Sequence, residues 1–459
     1  MERLLVNPLE AIVGSGYVVT DREKMQNYLA DETAKIVRPK PANDLVLVKP
    51  SNAREVSEIL QFASKHRIPV FPRGGGTGLA GGSIPTQDGI ILSMERMNGL
   101  EIDTANLMVV VEAGVTLETL SNKVSQAGLF FPLHPGDQNA QVGGLVATNA
   151  GGSRALRYGV MRNYVKGIEA VLPTGEILNL GGKLHKNNVG YDLLQLIIGS
   201  EGTLAVITKV ILRLYAKSGA TATLILPYEN RHDALSSVPK ILQQIGLPLA
   251  IEYVEKDVVE RTARHLGEHW PAKSGNCYLI VIVAEESREQ VLSQSTRLAE
   301  VCQQNRALEP LYAESKRDQD RILAIRSSIY FALKSETADI LDITVPTAEL
   351  DNVISLIEEI QKEANVILPI FGHAGDGNLH VHIMRDAGED INRVEILRDR
   401  IYRIAIEAGG VITGEHGVGK IRTGKLGMCL AGKEMELMKS IKRIFDPNNV
   451  LNPRTKILV

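Results

Sequence analysis

Six glycines fall between residues 74 and 82, in PRGGGTGLAGG, directly after the short apolar run IPVF (68–71) that reads as a buried strand. Gly76, Gly78 and Gly81 have the GxGxxG spacing. A dinucleotide fold with that fingerprint needs a helix to start inside it, so that the pyrophosphate meets the helix N-terminus. Here Gly82, Pro85, Asp88 and Gly89 follow at once, and such residues do not sustain the first two turns of a helix. The segment is therefore a loop, and a Rossmann site is excluded. Consecutive backbone N–H groups of Gly74, Gly75, Gly76, Thr77, Gly78 and Leu79 can face one way as a nest for phosphate oxygens, with Arg73 beside them. The competing reading is a mobile surface loop.

The chain around this loop alternates helix and strand. SNAREVSEILQFASKH (51–66) predicts a helix capped by Ser51, with Val56, Ile59, Leu60 and Ala63 as its apolar stripe. GIILSM (89–94) and MVVVEAG (108–114) predict strands, VTLETLSNKVSQAG (115–128) a second helix, and VITKVILRLY (206–215) a further strand. KSGA (217–220) reads as a joint. Beyond it glycine is sparse until 372, with strands at 221–227 and 278–286 and helices at 232–246, 288–305 and 351–364. At 459 residues the chain exceeds one ordinary core, and the boundary is placed near 217.

Two more glycine-rich stretches follow in the first part. In PLHPGDQNAQVGGLVATNAGGSRALRYG (132–159), Gly143-Gly144 and Gly151-Gly152 permit close approach to a flat ligand, and Thr148 and Asn149 offer polar contacts to its edge. In NNVGYDLLQLIIGSEGTLAVITKV (187–210) a strand-forming run follows Gly199-Ser200-Glu201-Gly202. One phosphate loop and two glycine-rich walls imply a large nucleotide cofactor. Near matches to GxxxxGK[ST] at Gly414–Lys420 and Gly419–Lys425 lack the final hydroxyl and are set aside.

The second part carries FGHAGDGNLHVHIM (371–384), with three of the ten histidines. In an extended LHVHIM, His380 and His382 share a face. The turn Gly375-Asp376-Gly377-Asn378 can return His373 alongside, and Glu415 in TGEHGVGK offers a carboxylate. Two histidines and a carboxylate suit catalytic zinc or non-haem iron. A solvated histidine hairpin is the plainer alternative.

A net charge of −3 with no basic run argues against a nucleic-acid partner. Cys277, Cys302 and Cys429 are too few and too scattered for an iron–sulfur cluster, and fit a reducing compartment. The start of the chain shows no signal-peptide pattern, and no apolar run spans a membrane. A cytoplasmic protein is expected, with peripheral docking on the inner face of a membrane left open.

PRGGGTGLAGG, HPGD…GGLVATNAGG and GYDLLQLIIGSEGTLAVIT resemble the FAD-binding domain of the vanillyl-alcohol oxidase (PCMH-type) flavoproteins. FGHAGDGNLH and TGEHGVGK resemble the D-2-hydroxyacid dehydrogenase branch, which includes glycolate oxidase D subunits, FAD-linked D-lactate dehydrogenases and D-2-hydroxyglutarate dehydrogenase. The resemblance runs from YLADET at 28 to FDPNNVLNP at 445–453. It implies an α+β fold: a two-lobed PCMH-type FAD-binding domain over 1–217, then an α/β cap over 218–459 with an antiparallel sheet. The last ~40 residues should pack back on the FAD domain. It implies FAD contacts from Arg73 through Leu79, at Pro135 and Asp137, at Gly143, Gly144, Thr148, Asn149 and Gly151, and at Glu201 and Ile207. Covalent members carry a histidine in the first loop; this loop has none, so non-covalent FAD is expected. Ala205 stands where a glycine is usual.

The resemblance further implies that His373, His380 and Glu415 hold a divalent metal (zinc, iron or manganese) and that His416 is the catalytic base. Arg326 in LAIRSSIY would clamp a substrate carboxylate. Tyr330 and His382 would touch substrate, His382 in place of a frequent asparagine. Leu341, in LDITVP, stands where D-2-hydroxyglutarate enzymes carry a lysine, which favours a short acid such as D-lactate or glycolate. The implied reaction moves the hydroxyl proton to His416 and a hydride to flavin N5, leaving a 2-oxo acid. Electrons would pass to an iron–sulfur subunit, an electron-transferring flavoprotein or a quinone, from a homodimer or a hetero-oligomeric complex. The alternatives are a metal-dependent hydrolase and a non-catalytic FAD subunit of a glycolate oxidase complex.

Overall fold

The computed structural model describes residues 2–385 and 390–459. Three sheets organise it. In the first lobe, parallel strands Leu45–Val48, Gly89–Ser93 and Val70–Arg73 are joined at the edge by antiparallel Val18–Val19. Helix Ala53–His66 buries Val56, Ile59, Leu60 and Ala63 against this sheet, as its periodicity predicts. Its cap is Asn52, not Ser51: the Asn52 side chain accepts from the Glu55 amide, while the Ser51 hydroxyl and amide are spent on the Glu55 carboxylate.

The second lobe is an antiparallel five-stranded sheet in the order Leu100–Asp103, Met108–Glu112, Val206–Arg213, Val165–Val171, Ile177–Gly181. Helix Leu117–Gln126 packs on it through Leu117, Leu120 and Val124.

The cap holds a seven-stranded antiparallel sheet. Its order is Leu311–Ala313, Ala220–Tyr228, Cys277–Glu285, Ala250–Glu255, Ile370–His373, Asn378–Met384, Thr337–Thr344. One face is covered by helices Arg231–Gln244, Arg288–Gln304, Leu350–Ala364 and Ile391–Glu407 around a large apolar core. The period-2 alternation of strands then decides what the other face carries. Ile251, Tyr253, Leu341, Ile343, Leu379 and Val381 point into that core. Their neighbours Glu252, Asp342, His380 and His382 therefore point the other way, as do Phe371 and His373 on the adjoining strand.

After 418 the chain bridges cap and first lobes: Ile421, Met428 and Cys429 pack on the cap core, and other residues reach back to the lobes. Val70 and Val450 pair through their backbones at 2.8 Å, and Asn452 donates to Val70 O at 2.8 Å. The Glu201 carboxylate accepts from the amides of Val418 (2.9 Å) and Gly419 (2.7 Å). Lys442 donates to Thr203 O at 2.8 Å. The α+β architecture matches the sequence expectation, and no described helix is long and apolar enough to cross a membrane.

Candidate active site

One cavity lies between the lobes and the cap, and it joins the glycine loops to the histidine cluster. Its first part is lined by Arg73 through Leu79, Pro135, Asp137, Gly143, Gly144, Thr148, Gly151, Glu201 and Ile207. Among the described residues, none of the amides from Gly74 to Leu79 donates to a protein acceptor. A row of free N–H groups along a glycine loop suits the phosphate oxygens of a nucleotide. Packing within the protein also requires two of these glycines: a Cβ on Gly143 would stand 2.7 Å from that of Ala113, and one on Gly75 would stand 2.7 Å from Asn139 O. The Arg73 guanidinium is folded beneath the loop, donating to Asn27 O at 2.7 Å and Ser83 Oγ at 3.3 Å. It braces the nest from below. Gly76 has φ 71°, and a Cβ there would fall on that guanidinium. Gly76→Ala is expected to weaken FAD binding by about tenfold or more, since left-handed backbone alone costs ~1–2 kcal/mol. A FAD titration of deflavinated protein checks this; unchanged affinity would mean the loop does not contact the cofactor.

One expected cofactor contact is corrected. Asn149 does not line the cavity. At φ 53° it ends helix Val142–Thr148, and its Oδ1 accepts from the Arg162 amide at 2.9 Å, so it shapes the loop. The Thr148 hydroxyl lines the cavity but donates to Gly144 O at 3.0 Å.

At the cap end the hairpin 370–384 brings His373 and His380 together, with ring centroids 5.3 Å apart. Glu415 Oε1 lies 3.5 Å from His373 Nε2, 3.5 Å from His380 Nε2 and 3.9 Å from His416 Nε2. Ligands about 2.0–2.2 Å from one tetrahedral ion stand roughly 3.4 Å from one another, and the Glu415 oxygen keeps that spacing from both imidazoles; the group whose ligand atoms all lie within 4.8 Å of one another is Asp342, His380, Glu415 and His416, without His373. Gly151 is required beside it, because a Cβ there would stand 2.5 Å from Glu415 Oε2. The His416 ring stacks on His380 at 5.0 Å with planes 4° apart.

Asp342 also lies near, within 4.8 Å of ligand atoms of His380, Glu415 and His416. Its carboxylate is already committed. Oδ2 accepts from the amides of Gly414 (2.9 Å), Glu415 (2.9 Å) and His416 (2.8 Å) and from the Thr413 hydroxyl (2.8 Å). Oδ1 accepts from Asn378 Nδ2 at 2.8 Å. Asp342 therefore organises the turn that presents Glu415 and His416. Glu252, 1% exposed, meets His373 Nδ1 at 2.7 Å and Arg326 Nη2 at 2.5 Å. Burial works against charge on Glu252, but Arg326 and His373 outweigh it and hold its carboxyl below the usual range. His373 is likewise disfavoured as a cation by burial, yet the Glu252 charge raises it well above an ordinary histidine. A metal held there would compete with a proton for that nitrogen, and its affinity would fall as pH falls.

Arg326 and Tyr330 line the same cavity. Arg326 is not free, since Glu252 holds it. The Tyr330 hydroxyl donates to Glu32 O at 2.8 Å, tying cap to first lobe. His382 is corrected: it is fully buried, absent from the cavity wall, and its Nδ1 pairs with Thr337 Oγ1 at 2.8 Å. Burial, then the His416 charge, pushes it down to about 3. Leu341 is corrected too. Its side chain lies in the core on the far face; the cavity-facing neighbour is Ile340, also apolar.

Four wall or support residues were not singled out in the sequence. Glu252 in AIEYVE and Asp342 in DILDIT are acids inside apolar strands, a legible sign of a buried partner. His134 and Arg154 flank the glycine turns with no such sign. Both line the cavity, and burial pushes His134 down to about 4.

Comparison with known proteins agrees with this geometry. The family of FAD linked oxidases, C-terminal domain, matches residues 217–455, and the FAD binding domain family matches 45–181. D-lactate dehydrogenase of Archaeoglobus fulgidus is 43% identical over 93% of this chain and 94% of its own. Glycolate oxidase subunit GlcD of Bacillus subtilis is 37% identical over 89% of this chain and 87% of its own. Among solved structures, 4-ethylphenol oxidase from Gulosibacter chungangensis superposes with TM-score 0.80 at 16% identity, covering 100% of this chain and 97% of that one. At that identity the likeness speaks for the fold alone. A glycine-lined cleft of this fold, matched over most of the chain by these sequences, places the protein in the FAD-linked oxidase family as an FAD-dependent oxidoreductase.

Proposed function

We propose that the protein oxidises a short D-2-hydroxy acid, D-lactate or glycolate, to the 2-oxo acid, using non-covalently bound FAD and a divalent metal. The observation that carries this reading is the continuity of one cavity from the Gly74–Leu79 nest to His373, His380, Glu415 and His416. A bound metal would acidify a coordinated hydroxyl, and bound FAD would accept the hydride. The residues would do the rest. His373, His380 and Glu415 hold the ion. His416 Nε2, 3.9 Å from the Glu415 oxygen, takes the hydroxyl proton. Arg326, steered by Glu252, meets the carboxylate, with Tyr330 closing the wall beside it. Ile340 adds no second cation, which favours a short acid.

A second reading rests on Arg154. Arg154 lines the cavity, its guanidinium lies 5.2 Å over the Phe130 ring, and no carboxylate stands within 4 Å of it among the described residues, so a substrate with a second anionic group would find a partner there. D-2-hydroxyglutarate tests it.

Electrons would leave through an iron–sulfur subunit, an electron-transferring flavoprotein or a quinone, since the three free cysteines are scattered. The reading places the protein in the cytoplasm or on the inner membrane face, as a homodimer or within a hetero-oligomer. Anaerobic titration with D-lactate, L-lactate, glycolate and D-2-hydroxyglutarate, with and without a chelator, is the test. Bleaching of the flavin band by D-lactate or glycolate, abolished by the chelator, is expected. A band that none of these bleaches overturns the substrate class; bleaching indifferent to the chelator overturns the metal.

A further inference from the structure

We propose that Glu252 is a positioning residue that makes metal and substrate carboxylate bind interdependently; this rests on the site reading just given. Glu252 stands in the middle of strand Ala250–Glu255, paired on one side with Cys277–Glu285 and on the other with Ile370–His373. Both its oxygens approach His373 Nδ1, at 2.7 and 2.9 Å, and one of them also meets Arg326 Nη2 at 2.5 Å. A carboxylate there makes Nδ1 the proton-bearing nitrogen of His373. The lone pair is left on Nε2, the atom that faces Glu415.

The same carboxylate sets the direction of the guanidinium. Arg326 Nε and Nη2 are both buried without an aligned hydrogen bond, so Glu252 restrains this side chain as a close counter-charge, and donors remain for an incoming anion. One buried negative charge is thus divided between a metal-side imidazole and a substrate-side arginine. When an anion neutralises Arg326, the pull of Glu252 on the His373 proton grows, and His373 becomes a better metal donor. Linkage requires the reverse as well: metal at His373 strengthens anion binding at Arg326.

The experiment uses the FAD-loaded protein stripped of metal and titrated with Zn²⁺, with and without propionate. Propionate carries the carboxylate of lactate but no hydroxyl to bind the ion beside it. In the wild type, propionate is expected to tighten Zn²⁺ severalfold. Glu252→Gln is expected to weaken Zn²⁺ by about 10–100-fold, the usual size for a lost hydrogen-bond partner of a ligating histidine, and to remove the propionate effect. Flavin absorbance should stay at the wild-type value, while the melting temperature falls because Arg326 loses its buried counter-charge; the lost propionate effect is the readout that a merely structural role would not move. Arg326→Met probes the same coupling from the other side and serves if the Glu252 variant does not fold: Zn²⁺ should tighten and propionate should lose its effect. Zn²⁺ affinity unmoved by propionate in the wild type, or unmoved by both substitutions, overturns the proposal. If that protein is still bleached by D-lactate in a chelator-sensitive way, only the coupling falls. A wild type that binds no divalent ion overturns the site reading and this proposal together.

Discussion

His416→Ala lowers turnover by about 10²–10⁴-fold while FAD and metal stay bound, the range of a lost general base. The expectation follows from how the side chain is held. Its ring is stacked on His380, its backbone N–H is held by Asp342, and its Nε2 lies 3.9 Å from Glu415 Oε1. The histidine contributes no hydrogen bond to the FAD loops, and the three proposed ligands remain in place without it. Metal content, flavin absorbance and single-turnover flavin reduction are the measurements. Metal lost along with activity would exchange the assignments of ligand and base; activity retained within about tenfold would remove the base role altogether.

Asp342→Ala is expected to have the largest effect on stability. Three backbone amides and one hydroxyl converge on a single buried oxygen. Stranding buried donors costs about 1–3 kcal/mol each, so the loss should reach at least ~3 kcal/mol, and the Glu415–His416 turn should lose its shape. Burial opposes charge on Asp342, but His416, His380 and the donated hydrogen bonds outweigh it and hold the carboxyl below the usual range. A carboxyl lowered on folding stabilises above its unfolded value of ~3.9, and that contribution disappears as pH falls through the folded value. The stabilisation is therefore fully present at neutral pH. Denaturant melts with metal analysis check this; a variant with wild-type midpoint and metal content would show that the turn stands by itself.

The sequence made the glycine loops, the histidine hairpin and the α+β class legible because each is local. GxGxxG followed by glycine and proline excludes a helix within a dozen residues of chain, and LHVHIM places His380 and His382 on one face by pleat alone. Facing the same way did not put both in the cavity. His382 is two residues along the strand, behind Phe371, and that offset depends on where the first lobes end against the sheet. The same pleat could have corrected Leu341, which alternates with Ile340 and Asp342 along one strand. Asn149 was misread because a glycine-like φ and a polar side chain look alike in a loop of unknown path. Glu252 and Asp342 escaped because their partners are distant: His373 is 121 positions from Glu252, and His416 is 74 from Asp342.

Such distances have a consequence for synthesis of the protein. Glu201, on the wall of the FAD cleft, is satisfied by amides 217 and 218 positions further along the chain. Val70, at the strand leading into the phosphate nest, waits for Val450 in the same way. While the ribosome is still translating the cap, the first two lobes have their sheets but an open seam. Flavin capture is thus a late event in biogenesis, and a nascent chain stalled before residue 418 should be colourless however well its lobes have folded.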